Sequence, residues 1–135
     1  MINYMLDTDT CIYTIKRKPP HIKRRFNANI GRLCISSITW GELIYGAEKS
    51  NHTAANLDQL AGSAARLEVL TFGEKEAQQF GQIRSELEAS GQVIGPYDMM
   101  IAGHARSQGL VLITHKLREF NKVDGLRLEN WADPI

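Results

Sequence analysis

The sequence predicts an α/β fold, a three-layer α/β/α sandwich around a central parallel sheet, and three observations carry that prediction. Short apolar runs near residues 5, 35, 68 and 112 alternate with segments of helical periodicity. Those runs show no in-and-out alternation, which is the pattern of strands buried on both faces. The 135 residues suit one ordinary domain, 1–135, able to bury roughly two-thirds of its unfolded surface without metal or disulfide staples.

Taken in order, Ile2 to Leu6 forms the first strand, ended by Asp7, and Thr8-Asp9-Thr10 supplies polar caps for a helix through Lys16. Pro19-Pro20 interrupts. Ile22 to Asn29 then makes a second helix, with Pro20 compatible with its first turn. Arg32 to Ser36 is the second strand, and Ser36 or Ser37 caps a helix carrying Ile38, Glu42, Tyr45 and Ala47. A helix over Ala54 to Arg66 leads into a strand at Leu67 to Leu70. Glu74 to Ala89 follows as a helix with Phe80, Ile83 and Leu87 on one side, closed by Ser90-Gly91. Gly95-Pro96 opens the helix Tyr97 to Gln108, Gly109 stops it, and Leu110 to Thr114 is the next strand. Leu126-Arg127-Leu128 is a candidate edge strand.

Lys plus Arg, 16, nearly cancel Asp plus Glu, 15, so only the distribution of charge speaks to partners. Lys16, Arg17, Lys18, Lys23, Arg24, Arg25 and Arg32 crowd the first quarter, and acids dominate from Glu68 to Glu88. Alone, the basic run reads as a solvated helix face. Cys11 and Cys34 are too few and too far apart for a zinc site, and their apolar settings predict buried thiols and a reducing compartment. The N-terminal residues lack the charge pattern of a secretory signal, and no uncharged apolar run approaches about 18 residues. A cytoplasmic location without membrane contact is the expectation.

In open parallel sheets ligands bind beyond the carboxyl ends of the strands, which directs attention to Asp7, to the segment Ser36–Thr39 and to Thr114–Lys116. Asp7 follows the first strand, Glu42 lies in the first turns of the helix after the second, and Asp98 sits on the first turn of another helix. Each acid alone reads as a cap or a solvated residue. Together, hemmed by Trp40, Leu43, Ile44 and Tyr45 in one case and Tyr97, Met99, Met100 and Ile101 in the other, they suit a hard-cation site, provided that they converge. His104 reads as a hydrogen-bonded packing residue, His115 lies near the proposed mouth, and His21 and His52 read as exposed. Trp40, Tyr45 and Met99-Met100 read as core or partner surface.

The strings YMLDTDTCIY, ISSITWGELIYGAEKS and GPYDMMIAGHARSQGLVLITHKLREF, in that order and spacing, resemble the successive motifs of VapC-type toxins of the PIN-domain family over nearly the whole chain. The resemblance implies an Mg²⁺-dependent endoribonuclease, with Mn²⁺ a plausible substitute, that inhibits translation as the toxin of a type II toxin–antitoxin pair. It implies Asp7, Glu42 and Asp98 as catalytic metal ligands, direct or through water, with Thr8, Asp9 and Thr114 around the pocket. It further implies a structured RNA substrate, the anticodon stem-loop of initiator tRNA foremost, and a homodimer. A VapB-type antitoxin would cover the groove, with DNA contacted only through it. Arg17, Lys23, Arg24 and Arg25 then become candidates for RNA-phosphate contacts.

One position departs from the family pattern. Where the family usually carries Asn or Asp two residues after the Thr of the block Thr114–Phe120, this chain has Lys116. A protonated lysine cannot ligate Mg²⁺, which leaves three alternatives: the fourth contact is dispensable, the ammonium takes over part of the metal's neutralising role, or this copy is a weakened binding module. A second rival comes from Asp7-Thr8-Asp9-Thr10, which also resembles the start of haloacid-dehalogenase-like phosphatases, with Asp7 as nucleophile and Asp9 as general acid. The late acidic pair of that family is absent.

Overall fold

In the computed structural model, which describes residues 1–16 and 19–132, β1 (Tyr4–Leu6) sits at the centre of the sheet. It leads into α1 (Thr8–Lys16) and α2 (Pro20–Ala28), then β2 (Leu33–Ser36), α3 (Ser37–Glu48), α4 (Thr53–Ala64) and β3 (Glu68–Leu70). The second half is α5 (Glu74–Ala89), α6 (Pro96–Gln108), β4 (Val111–Ile113), a short α7 (Leu117–Phe120) and β5 (Arg127–Glu129). Strand order is β3-β2-β1-β4-β5 with every neighbouring pair parallel, Tyr4 standing opposite Leu33 on one side and Val111 on the other. The chain lays strands outward to one side of β1, then returns to build on the other. The winding therefore reverses between β1 and β4, where such sheets open a crevice.

Side chains of β1, β2 and β4 alternate between two cores, and this explains why these three strands read as unbroken apolar runs, whereas β3 and β5 are exposed edges. Met5, Cys34 and Leu112 face α5, α6 and α7, where Ile83, Leu87, Met99, Ala102 and Phe120 meet them. Leu6, Leu33, Ile35 and Ile113 face the helices α1 to α4, with Cys11, Ile22, Phe26, Leu43 and Leu60. The three-layer sandwich is thus present as the sequence predicts. Both cysteines are buried thiols, and burial pushes Cys34 up to about 12.

Local chemistry sets the helix ends. Ser36, the earlier of the two predicted caps, accepts the Ile38 N–H at 3.1 Å. Ser37 instead accepts the Phe72 N–H at 3.0 Å, fastening the chain after β3. Gly109 ends α6 at φ +66°, a left-handed turn that L side chains rarely adopt. Of the caps expected for α1, it is Asp7 rather than the Thr8-Asp9-Thr10 group that accepts the Thr10 N–H, at 2.8 Å. The edge strand forms one residue later than its candidate, and α7 had no counterpart among the predicted elements. No helix among the described residues is long and apolar enough to cross a membrane.

Candidate functional site

Asp7 is held from both sides of the crevice. Its backbone N–H donates to the Ile113 carbonyl at 3.0 Å, its Oδ1 accepts the Thr10 N–H, and its Oδ2 accepts the Thr114 hydroxyl at 2.6 Å. The Thr10 hydroxyl in turn donates to the Ile113 carbonyl at 3.1 Å. The carboxylate is therefore fixed between the ends of β1 and β4, only 1% of the residue exposed. Burial raises its pKa, against the hydrogen bonds from Thr114 and Thr10, which favour the ionised form.

Glu42 joins from α3. The Thr8 hydroxyl donates to its Oε1 at 2.6 Å and also lies 3.4 Å from the hydroxyl of Thr39, which is fully buried one helical turn before Glu42. Asp98 joins from α6 through a lysine: Lys116 Nζ stands 3.0 Å from Asp98 Oδ2 and 3.5 Å from Asp9 Oδ2. The Lys116 backbone N–H donates to the Thr114 hydroxyl oxygen at 2.9 Å. Burial alone would lower the ammonium's pKa. The hydrogen bond to Asp98 and the charges of Asp98, Asp9 and Asp7 outweigh it and hold the pKa above its ordinary value.

The sequence-predicted pocket residues fall into two bonded groups, Asp7, Thr114, Lys116, Asp9 and Asp98 in one and Thr8 with Glu42 in the other, which adjoin at the Asp7–Thr8 peptide. Thr10 and Thr39 join these groups. Thr10 was not among the predicted site residues, whereas Thr39 closes the Ser36–Thr39 segment to which the strand-end rule directed attention, and its spacing three residues before Glu42 places both on one helix face. A divalent cation suits the set in kind, since the donors are all oxygens and a cationic group is already drawn to them. As they stand, no three His, Cys, Asp or Glu side chains among the described residues are gathered closely enough to hold a metal ion.

The remaining candidates are scattered. Arg17 lies outside the described residues. On α2, Lys23 lies over the Phe26 ring at 4.9 Å and lines a cavity of about 240 Å³ with Leu6, Cys11, Trp40 and Arg66, whereas Arg24 is exposed and Arg25 half-buried. His104 is the packing residue expected, its Nδ1 2.8 Å from Ser36 Oγ in the core. His115 stacks on Tyr13 beside Lys116. His21 departs from the expected exposure: it is half-buried and bonded to the Ala132 carbonyl. Met99 is core, whereas Tyr45 is 64% exposed and meets Lys49 through its ring.

Residues 4–126 match the model of the PIN domain. The chain belongs to the PIN-domain family. Nucleases of this family are generally dependent on divalent metal. This PIN domain is 56% identical, over 98% of its length and all of the relative's, to the tRNA(fMet)-specific endonuclease VapC of Salmonella typhimurium. It is 52% identical to the protein of the same name from Shigella flexneri, with the same coverage. Its fold superposes on a chain of a crystal structure described as DNA-bound VapBC from Salmonella typhimurium, with a TM-score of 0.93, 56% identity and coverage of 97% and 99% of the two chains. The phosphatase reading of Asp7-Thr8-Asp9-Thr10 is set aside by this membership, and in the fold Asp9 faces Lys116.

Proposed function

We propose that this chain is a divalent-metal-dependent endoribonuclease, the toxin of a VapBC pair, with Mg²⁺ as its working metal. One observation carries the reading. Asp7, just after β1, and Asp98 of α6 are tied together through Thr114 and Lys116 where the winding of the sheet reverses, and Glu42 of α3 is held by Thr8, the residue next to Asp7. Relatives matching the chain from end to end are named endonucleases, which supplies the reaction class. Asp7, Glu42 and Asp98 are the residues that would hold the metal.

When bound, the ion supplies charge neutralisation at a phosphodiester and activation of the attacking water. Asp7 keeps one orientation because two donors fix its two oxygens, so it needs no reorganisation to act. Thr8 does the same for Glu42. Single-stranded loops offer unstacked bases to a cleft of this kind, which supports the anticodon loop of initiator tRNA as substrate, the RNA named for two relatives. A VapB-type antitoxin, a homodimer and a cytoplasmic setting complete the reading.

A second reading has its own observation: the ion pair between Lys116 and Asp98 occupies a ligand, as a weakened, RNA- or antitoxin-binding module would permit. Incubation with total RNA, followed by mapping of cut ends, separates the two. Cleavage should stop with chelator and return with Mg²⁺. Asp7→Asn and Asp98→Asn should each lower it by more than about 100-fold, beyond what removing a group that only supports a ligand costs, with the melting midpoint kept or raised. Cleavage that survives chelation, or wild-type rates in Asp98→Asn, would refute the nuclease reading; no cleavage under any metal would favour the weakened module.

A further inference from the structure

Lys116 is tied to the site at both ends. Its backbone N–H donates to the Thr114 hydroxyl oxygen, the same hydroxyl that orients Asp7, and its ammonium lies against one acid of α6 and one of α1. Packing does not explain this, since the side chain stays 29% exposed and its tip is directed to carboxylates. We propose that Lys116 is a tethered counter-ion that fills the cation seat of the metal-free chain, and that a divalent ion loads by displacing the ammonium from Asp98 while Asp9 retains it. The inference rests on the nuclease reading and adds the regulation of that site: metal loading is an exchange of cations.

The physics favours exchange over permanent blockade. Lysine carries a point charge on a flexible four-carbon stem, so its tip moves without the backbone moving. The ion pair is part-exposed, 29% and 23% for the two side chains, and pairs reached by solvent are weak enough for a divalent ion to break. Asp9, 40% exposed, offers the ammonium a second partner at 3.5 Å, so displacement from Asp98 does not strand the charge. A tethered competitor is present at fixed effective concentration, so it raises the apparent dissociation constant of the metal by a constant factor. That factor moves the half-filling of the site, and with it the onset of activity, to a higher metal concentration.

The test is Mn²⁺ binding to the full chain, read from the spectrum of free Mn²⁺ by electron paramagnetic resonance. Lys116→Met keeps the stem and removes the charge, and it should lower the half-saturating Mn²⁺ concentration on the order of tenfold, the size of one charge-assisted hydrogen bond. Lys116→Arg, which keeps the charge, should stay near the wild type, and Lys116→Gln repeats the measurement with a polar tip if the Met variant aggregates. Asp9→Asn should weaken binding several-fold in the wild type, because the lysine is thrown back on Asp98, and should have little effect in Lys116→Met. An equal loss in both backgrounds would make Asp9 a ligand in its own right and overturn its role as the retaining seat. Equal half-saturation in wild type and Lys116→Met would overturn the counter-ion itself. If neither protein binds Mn²⁺, the metal reading and the exchange fall together. If binding shifts as stated but RNA stays intact, the exchange stands and the nuclease reading falls.

Discussion

At the scale of single residues, hydroxyls orient the acids of this site. A hydroxyl has one proton to give, and Thr8 and Thr114 each place theirs on a carboxylate at 2.6 Å, fixing its orientation without adding charge. Thr8→Val keeps the shape and removes the donor. It should cost on the order of 10–100-fold in metal affinity or cleavage rate, the usual effect of losing a group that orients a ligand, with little change in melting; wild-type metal affinity in that variant would refute the orienting role. The acids were legible in the sequence because strand ends and helix starts mark the rim of a parallel sheet. Thr39 was legible only as the end of the segment Ser36–Thr39, since nothing local distinguishes a buried threonine that touches another element from one that caps a turn. Glu76 is a second residue hidden among solvated acids. It accepts from Ser107, Gln108 and the Gly73 N–H, and these bonds, the Ser107 hydroxyl foremost, outweigh burial and draw its pKa from 4.5 to about 2. A carboxylate lowered on folding adds stability that is fully present above the unfolded value and is lost as pH falls through the folded one. Urea titrations should therefore show wild-type stability falling between pH 4.5 and about 2 with a slope that Glu76→Gln reduces; parallel curves would refute it.

At the scale of elements, α5 and α6 approach each other closely, and a glycine makes it possible. A Cβ on Gly103 would lie 2.9 Å from the Phe80 backbone nitrogen and 3.2 Å from its Cα, so a helix would have to move. Gly103→Ala should therefore destabilise by about 1–3 kcal/mol, overpacking outweighing the better helix propensity of alanine. Gly81, also in α5, has nothing within 4 Å of its Cβ position, and Gly81→Ala should stabilise by up to about 1 kcal/mol. Denaturant melts of the two variants check the opposite signs; like signs would refute the packing account. The sequence told α5 and α6 apart from their surroundings by period and by Gly91 and Gly109, but a glycine inside a helix does not announce which neighbour approaches it. Likewise α7 has four residues, too few for a period to show, and it forms where Phe120 enters the core. The central strands β1, β2 and β4 were legible because burial on both faces removes polar residues from them, whereas the exposed edge strands β3 and β5 keep charged residues, and the order across the sheet depends on contacts distant in sequence.

At the scale of the whole molecule, the proposed RNA substrate of a chain with near-balanced charge would be held through the placement of its cations, and the basic run on α2 is the placement to test. Arg24 is exposed and Arg25 half-buried on the helix that packs beside α1, the element carrying Asp9 at the site. Phosphate contacts release counter-ions, so each one steepens the fall of affinity with salt irrespective of RNA sequence. If both arginines touch phosphates, Arg24→Gln with Arg25→Gln should weaken binding to several unrelated RNAs by the same factor. The slope of log affinity against log salt should shrink by about one for each phosphate that is no longer neutralised. The position of cleavage should not move, because base edges and loop shape select it. Filter binding over a salt series, with the Asp7→Asn chain, which in the proposed reading leaves RNA uncut, gives the slope directly. An unchanged slope would make α2 a solvated face, and a slope that shrinks for one RNA only would make these arginines readers of that RNA's structure.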